Sequence, residues 1–272
     1  MKSILLHIDG DACMEARLQV AMDLARASGG HITCLQSVSY EVFAPGDFYG
    51  SVMAAAMPRI KEAAEKLRAE IEADLANEDV AWEWRFIYGM AEHRLLEQSA
   101  LHDVIVVGPH DIGEEGSRGP SAMAGELAVK APIPVLVVPK QIKRLDTNAP
   151  ILVAWNGSPE AAVALRSSLP LLAQSREVIL ASVAEGDDDV PYEFPSSEAA
   201  MYLSRHGIEA EVLEIPRGDA DIADTLFSAA QMRECGMIVM GAYGHSRFAE
   251  MLFGGVTRKM LSDPALPILL GH

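Results

Sequence analysis

Short runs of hydrophobic residues recur along the chain, and most are followed by a stretch with the apolar spacing of a helix. We interpret ten of these runs as strands: Ile4–Ile8, His31–Val38, Trp82–Ile87, Val104–Val107, Val135–Val138, Ile151–Trp155, Val178–Val183, Glu209–Ile215, Met237–Met240 and Ile268–Leu270. Nearly continuous apolar strands that alternate with helices are typical of a parallel sheet covered on both faces. The pattern therefore predicts an α/β fold that is doubly wound through right-handed crossovers.

The order of strands and helices occurs twice, which indicates an internal duplication. Asp9, after the first strand, corresponds to Asn156, and Gly108, after the fourth, corresponds to Gly241. We predict two tandem doubly wound domains, each with a five-stranded, mainly parallel sheet flanked by helices. The first domain is expected at residues 1–140 and the second at residues 151–272. Residues 141–150, which are polar and end in proline, are the predicted linker.

Composition and charge exclude several classes of function. Half of the 272 residues are hydrophobic, and the formal net charge is -17. The sequence has no basic stripe of the kind that binds a nucleic acid or an anionic membrane. No apolar run reaches the about 18 residues of a membrane span. The three cysteines lack metal-ligand or disulfide spacing, and the opening residues are too short for a signal peptide. We expect a cytoplasmic protein.

Four glycines frame the connection between the ninth strand and the last helix: Gly241, Gly244, Gly254 and Gly255. Glycine lets backbone N–H groups approach an anion, and a helix that starts there adds free N–H groups and the positive end of its dipole. Thr257 adds a hydroxyl donor. The loop is therefore a candidate phosphate site at the carboxyl end of the sheet. The alternative is that these glycines only end a strand, form a turn and allow close packing.

The spacing of Gly241, Gly244 and Gly254 resembles the phosphate loop of the universal stress protein family: Gly, two residues, Gly, nine residues, Gly. The strand end Ile238–Met240, the run Gly255–Arg258 and the closing Leu266–Leu269 resemble the same family, and the likeness extends over both halves. The chain is therefore identified, as a resemblance, with the tandem two-domain type of this family.

The resemblance implies an adenine nucleotide in the second half, with ATP expected and Mg²⁺ accompanying the triphosphate. It implies that Asn156 and the backbone of Val183 contact the nucleoside. The implied phosphate-binding residues are Gly241, Gly244, Gly254, Gly255, Val256 and Thr257. Asn156 replaces the usual aspartate and Gly255 the usual serine or threonine, and both changes imply a weakened or altered nucleotide preference.

The corresponding loop of the first half differs. Gly108 matches Gly241, but Asp111 takes the place of the second glycine and Ser121-Ala122 that of the third glycine pair. A carboxylate facing phosphate repels it. We interpret the first half as degenerate for ATP, with a structural or regulatory role.

These features favour a stress-response protein whose conformation or assembly depends on a bound nucleotide, not a dedicated enzyme. Two alternatives remain open: a scaffold that binds no nucleotide, and a slow ATP hydrolase. No catalytic residue or protein-held metal site is predicted. The family resemblance implies pairing through the fifth-strand edges, Val135–Val138 and Ile268–Leu270. That pairing would give an internal pseudo-dimer of the two halves, and a homodimer of two chains remains open.

Overall fold

The computed structural model describes residues 1–39, 48–110, 121–184, 194–216, 218–242 and 255–272, with side chains in the second helix from residue 57 onward. The first half contains β1 Ser3–Ile8, α1 Met14–Ser28, β2 His31–Val38, α2 Phe48–Leu75, β3 Ala81–Tyr88, α3 Ala91–Gln98, β4 Val104–Val107, α4 Ala122–Lys130 and β5 Val135–Val137. The second half contains β6 Ile151–Ala154, α5 Pro159–Leu172, β7 Val178–Val183, α6 Ser196–Arg205, β8 Ala210–Ile215, α7 Ile222–Met232, β9 Met237–Gly241, α8 Gly255–Ser262 and β10 Ile268–Gly271.

All ten predicted strands are present, and their bounds differ from the prediction by one residue at most at either end. The strands form one continuous sheet in the order β3-β2-β1-β4-β5-β10-β9-β6-β7-β8. Neighbouring strands are parallel within each half, and β5 and β10 pair antiparallel, with Leu136 opposite Leu269. The predicted fold class of two tandem, doubly wound, five-stranded units is therefore confirmed.

Each half changes the direction of its strand order at its first strand. β1 lies between β2 and β4, and β6 lies between β7 and β9. The connections on either side of such a strand leave a crevice at its carboxyl end, which is where doubly wound sheets bind ligands. The topology therefore places one candidate crevice in each half.

Helices cover both faces of the sheet because the strands are apolar on both sides. One buried cluster includes Leu24, Ile71, Leu165 and Leu203, so it lies beneath α1, α2, α5 and α6. The cluster on the other face includes side chains of the remaining helices, among them Leu95, Leu127, Leu226 and Met260. Both clusters contain residues from both halves, so the hydrophobic core is continuous through the chain.

The segment predicted to be a linker contains no helix or strand and packs against both halves. Leu145 is buried, and its N–H donates to Oδ2 of Asp23 in α1 at 2.7 Å. The side-chain amide of Gln141 donates to the carbonyl of Pro264 at 2.8 Å. The segment therefore ties the two halves together. The boundaries at residues 140 and 151 stay predictions.

The helices of the described ranges include none that is both long and apolar enough to cross a membrane. Cys13, Cys34 and Cys235 are all buried as free thiols.

Candidate functional site

Three predicted ligand positions meet at the carboxyl edge of the second half. Ala154 at the end of β6 is in register with Ala181 of β7 on one side and with Met240 of β9 on the other. Neighbouring strands lie about 4.8 Å apart. Asn156, Val183 and Gly241, which follow these three residues by one or two positions, therefore lie around one crevice.

Asn156 shapes the turn that leads from β6 into α5. Its Oδ1 accepts a hydrogen bond from the N–H of Ser158 at 3.1 Å, and Gly157 adopts a positive φ of 77°, which favours glycine. Ser158 caps α5 by accepting the N–H of Ala161 at 3.1 Å. Asn156 itself is exposed, and its amide NH₂ group makes no hydrogen bond within the described residues. The side chain is therefore held in place with two donors still available.

The backbone of Val183 faces the open end of β6. The N–H of Trp155 donates to the carbonyl of Ala181 at 2.8 Å, so the polar groups of Ala181 face β6. Those of Ala184 face β8, where its N–H donates to Ile215 at 2.9 Å. Because the direction alternates along a strand, the N–H and C=O of Val183 point towards β6, whose last paired residue precedes them. These two groups can donate a hydrogen bond to the edge of a planar base and accept one from it.

Gly241 has a packing role that the sequence does not reveal. A Cβ atom at this position would lie 2.5 Å from the amide nitrogen of Ala161 and 2.6 Å from the carbonyl carbon of Glu160. Such distances are too short for any side chain, so glycine here allows the first turn of α5 to touch the end of β9. This contact accounts for the glycine without a ligand, and a ligand role for its backbone stays a prediction.

Glu160, whose backbone takes part in this contact with Gly241, carries a carboxylate. Its Oε2 atom is buried and has no hydrogen-bond partner among the described residues. The residue lies in the first turn of α5, where the helix dipole stabilises negative charge. A buried carboxylate oxygen of this kind is an available acceptor for a donor or a cation.

The first turn of α8 supplies the described part of the predicted phosphate loop. Gly255 begins the helix, is exposed, and has open space where a Cβ would point. Val256 packs against the core, and Thr257 is 4% exposed. The N–H groups of a first helical turn have no partner within the helix, so they are donors for an anion. Gly244 and Gly254 lie outside the described residues.

Lys259 holds α8 against α7. Its Nζ atom contacts the carboxylates of Asp221, which caps α7, and of Asp224, the latter at 2.6 Å. These charges hold the pKa of Lys259 above its usual value, mainly through the hydrogen bond to Asp221. All three side chains are well exposed, so the pairs position the helix without adding much stability.

Two further contacts at this edge were not predicted from the sequence. The indole N–H of Trp155 donates to the carbonyl of Phe194 at 3.0 Å and so ties the end of β6 to the approach to α6. The ring of His272 is hydrogen bonded through Nδ1 to the carbonyl of Ala242 at 3.0 Å. A tryptophan at the end of an apolar strand was the available signal for the first contact, because its N–H needs a partner when buried.

The corresponding crevice of the first half contains charged side chains. Arg17 of α1 is fully buried, and its guanidinium donates to Asp9 and, at 2.5 Å, to Oδ2 of Asp11. Burial by itself lowers the pKa of Arg17, but the two carboxylates outweigh it and raise the pKa above its usual value. The predicted third-glycine position is Ser121, which caps α4 by accepting the N–H of Ala124 at 3.0 Å. Asp111 lies outside the described residues.

The described side chains do not include any cluster of three or more His, Cys, Asp or Glu residues that would hold a metal ion by themselves.

Comparison with known proteins gives a consistent result for the whole chain. The model of the universal stress protein family matches residues 1–139 and 147–270. A universal stress protein of Synechocystis sp. strain PCC 6803 is 26% identical over 176 residues, which cover 61% of this chain and 57% of that protein. The match thus spans little more than half the length of this curated relative.

Solved structures share the fold at low sequence identity. A universal stress protein from Archaeoglobus fulgidus is 15% identical with a TM-score of 0.74, over 99% of this chain and 96% of that one. A Pseudomonas aeruginosa PAO1 protein of unknown function is 17% identical with a TM-score of 0.59, over 99% and 92% of the two chains.

Proposed function

The chain belongs to the universal stress protein family, and from this premise we propose that its second half binds an adenine nucleotide, with ATP as the expected ligand. The nucleotide would lie at the carboxyl edge of β6, β7 and β9. Its binding would bias the conformation or assembly of the protein, in the cytoplasm and as part of a stress response. Three free thiols are compatible with a reducing compartment.

The observation that carries this proposal is the convergence of polar groups at one crevice. The register of β6 with β7 brings Asn156 and Val183 to the same strand ends, and the amide NH₂ of Asn156 makes no hydrogen bond within the described residues. Together they provide donors and an acceptor for a ribose or a base. Such groups beyond the carboxyl ends of parallel strands are the usual means of holding a nucleotide in doubly wound folds.

The phosphates would lie between the end of β9 and the first turn of α8. Gly255 is exposed, no described atom lies within 4 Å of the position of a Cβ on it, and Val256 and Thr257 continue the turn. Their backbone N–H groups and the helix dipole favour an anion. We place Gly241, Gly244 and Gly254 along the same path, because their spacing matches the family loop.

Mg²⁺ fits this arrangement as a companion of the triphosphate. The backbone of Glu160 adjoins Gly241, and its Oε2 has no hydrogen-bond partner among the described residues. A carboxylate oxygen is a hard ligand of the kind Mg²⁺ takes in small number beside phosphate oxygens. We propose that Glu160 faces the metal side of the nucleotide. The ion, when bound, would neutralise phosphate charge next to the protein's own carboxylate.

A scaffold that binds no nucleotide is the second candidate, and two observations favour it. Gly241 is explained by its contact with Ala161, and Asn156 by the turn it forms with Ser158. In either case we propose that the antiparallel pairing of β5 with β10 makes the chain an internal pseudo-dimer. Any homodimer formed by strand pairing would then have to use the outer strands β3 or β8.

Trp155 provides a direct test because it precedes Asn156 and is one of only three tryptophans. In a chain with Trp82→Phe and Trp84→Phe, ATP with Mg²⁺ should change the fluorescence of Trp155 in a saturable way. GTP at the same concentration is the control for base selectivity. An unchanged Trp155 signal with millimolar ATP would favour the scaffold.

A further inference from the structure

Arg17 lies at the carboxyl end of the first half's sheet, in contact with Asp9, the counterpart of Asn156. In each half the first strand is in register with the fourth, Ile4 with Val104 and Ile151 with Met237. Counted from these pairs without a gap, Asp9 stands in place of Asn156, Asp11 in place of Ser158 and Arg17 in place of Ala164. The small side chain of Ala164 in the second half thus corresponds to the long cationic side chain of Arg17 in the first.

The contacts of the two positions differ accordingly. Ala164 packs directly on the sheet, because a Cβ added to Gly271 would lie 2.6 Å from its Cα. In the first half, a Cβ on Gly108 would lie 2.5 Å from Nη1 of Arg17, whereas a Cβ on its counterpart Gly241 would meet the backbone of α5. The guanidinium of Arg17 therefore fills the space between α1 and the end of β4.

Arg17 also engages the carboxylate that would otherwise face a ligand. Asp9 stands where the proposed nucleotide site has Asn156, and its Oδ1 accepts hydrogen bonds from Arg17 and, at 3.3 Å, from the N–H of Asp11. Its side chain is 11% exposed. Breaking a buried ion pair leaves an uncompensated charge, so these carboxylates are not readily released.

We propose that Arg17, by holding Asp9 in a buried ion pair, keeps a nucleoside out of the first-half crevice and so restricts nucleotide binding to the second half. This inference rests on the proposed function for its ligand class, an adenine nucleoside. It assigns the difference between the halves to a buried side chain, in addition to the acidic loop that follows β4, which contains Asp111, Glu114 and Glu115. Arg17 is thus a specificity-determining residue that acts by exclusion.

The test replaces two first-half residues by their second-half counterparts in the double variant Arg17→Ala, Asp11→Ser. Of the two carboxylate partners of Arg17, only Asp9 then keeps its carboxylate. Adenosine is the probe, because it lacks the phosphates that the acidic loop would repel. Equilibrium dialysis should give one more adenosine per chain for the double variant than for the unaltered protein. Adding Asp9→Ala should remove the gained site.

The gained site is measured as the difference in bound adenosine between the double variant and the unaltered protein. The result therefore does not depend on whether the second half binds a nucleotide. If the unaltered chain binds neither adenosine nor ATP and the double variant binds one adenosine, the proposed function fails and the exclusion by Arg17 stands. A double variant that melts cooperatively and binds no more adenosine than the unaltered chain would overturn the inference.

A measurement on the unaltered protein covers the case in which the double variant does not fold. The side-chain nitrogen resonances of Arg17, observed by NMR, should not shift at saturating adenosine, because the guanidinium is enclosed by Asp9 and Asp11. A shift of the Arg17 resonances, with those of the exposed Arg205 unchanged, would show that ligand reaches the crevice and would contradict the inference.

Discussion

Gly241 and Ala161 approach so closely that a Cβ atom on the glycine would lie 2.5 Å from the amide nitrogen of the alanine. The end of β9 and the first turn of α5 thus touch backbone to backbone at the rim of the proposed site. The contact fixes where α5 begins relative to the crevice. It also separates two explanations of the glycines, because a packing glycine and a phosphate-binding glycine respond differently to substitution.

Gly241→Ala should destabilise the protein by about 1–3 kcal/mol, because the added methyl group must push the α5 backbone away. Urea unfolding measures the loss. Gly255→Ala is the matched control: open space surrounds its Cβ position at the start of α8, so its stability should be unchanged or raised by up to about 1 kcal/mol. Equal destabilisation by both substitutions would contradict the packing role of Gly241.

Glu160→Gln should weaken nucleotide binding mainly when Mg²⁺ is present. The amide keeps the shape of the side chain but loses the charge that the proposed cation position uses, so ATP affinity should fall roughly tenfold with Mg²⁺ and change little in EDTA. Calorimetric titration under both conditions gives the comparison. Glu198→Gln, an exposed glutamate in the first turn of α6, is the control and should have no effect.

His7 should make the protein less stable in weak acid. Burial lowers the pKa of His7 to about 4, although Asp9, whose Oδ2 lies 3.6 Å from Nδ1, opposes that shift and Arg17 adds to it. The unfolded chain takes up this proton near pH 6.5 and the folded chain only near pH 4. The folded protein therefore loses stability as the pH falls from 6.5 to 4. Below that range the whole stabilising contribution of neutral His7 has been lost.

The expected size of the His7 contribution is about 3 kcal/mol. Unfolding by urea at pH 7 and at pH 4.5 measures most of it, and His7→Gln should reduce the difference between the two pH values. A pH dependence that is the same in the variant and in the unaltered protein would show that His7 is not the responsible group.

The strands and their order were predictable because fully buried parallel strands are apolar on both faces, as in Val104–Val107. The resemblance to the family named Asn156 and Val183, and they lie at one edge because parallel strands end on the same side of a sheet. The cap that Ser158 forms on α5 is predictable too, because caps depend on neighbours in sequence. Local chemistry and a single periodicity were enough for the strands and the cap.

Contacts between distant segments were not predictable in the same way. Gly241 touches Ala161, which is distant in the sequence. The spacing of Gly241, Gly244 and Gly254 indicates a loop motif whether or not that contact exists, so it could not predict the contact. Arg17 is charged, and a charged residue on a helix is expected at the surface unless its partners are known. Its burial depends on two carboxylates that only the turn after β1 brings beside it.

The most direct test of nucleotide binding by the second half is calorimetric titration of the nucleotide-stripped protein with ATP and Mg²⁺, together with the variant Gly244→Asp. We expect one ATP per chain, with binding abolished in the variant because a carboxylate in the loop repels phosphate. Two ATP per chain would contradict the assignment of binding to the second half alone. No binding at millimolar ATP would contradict the proposed function and leave the scaffold as its replacement.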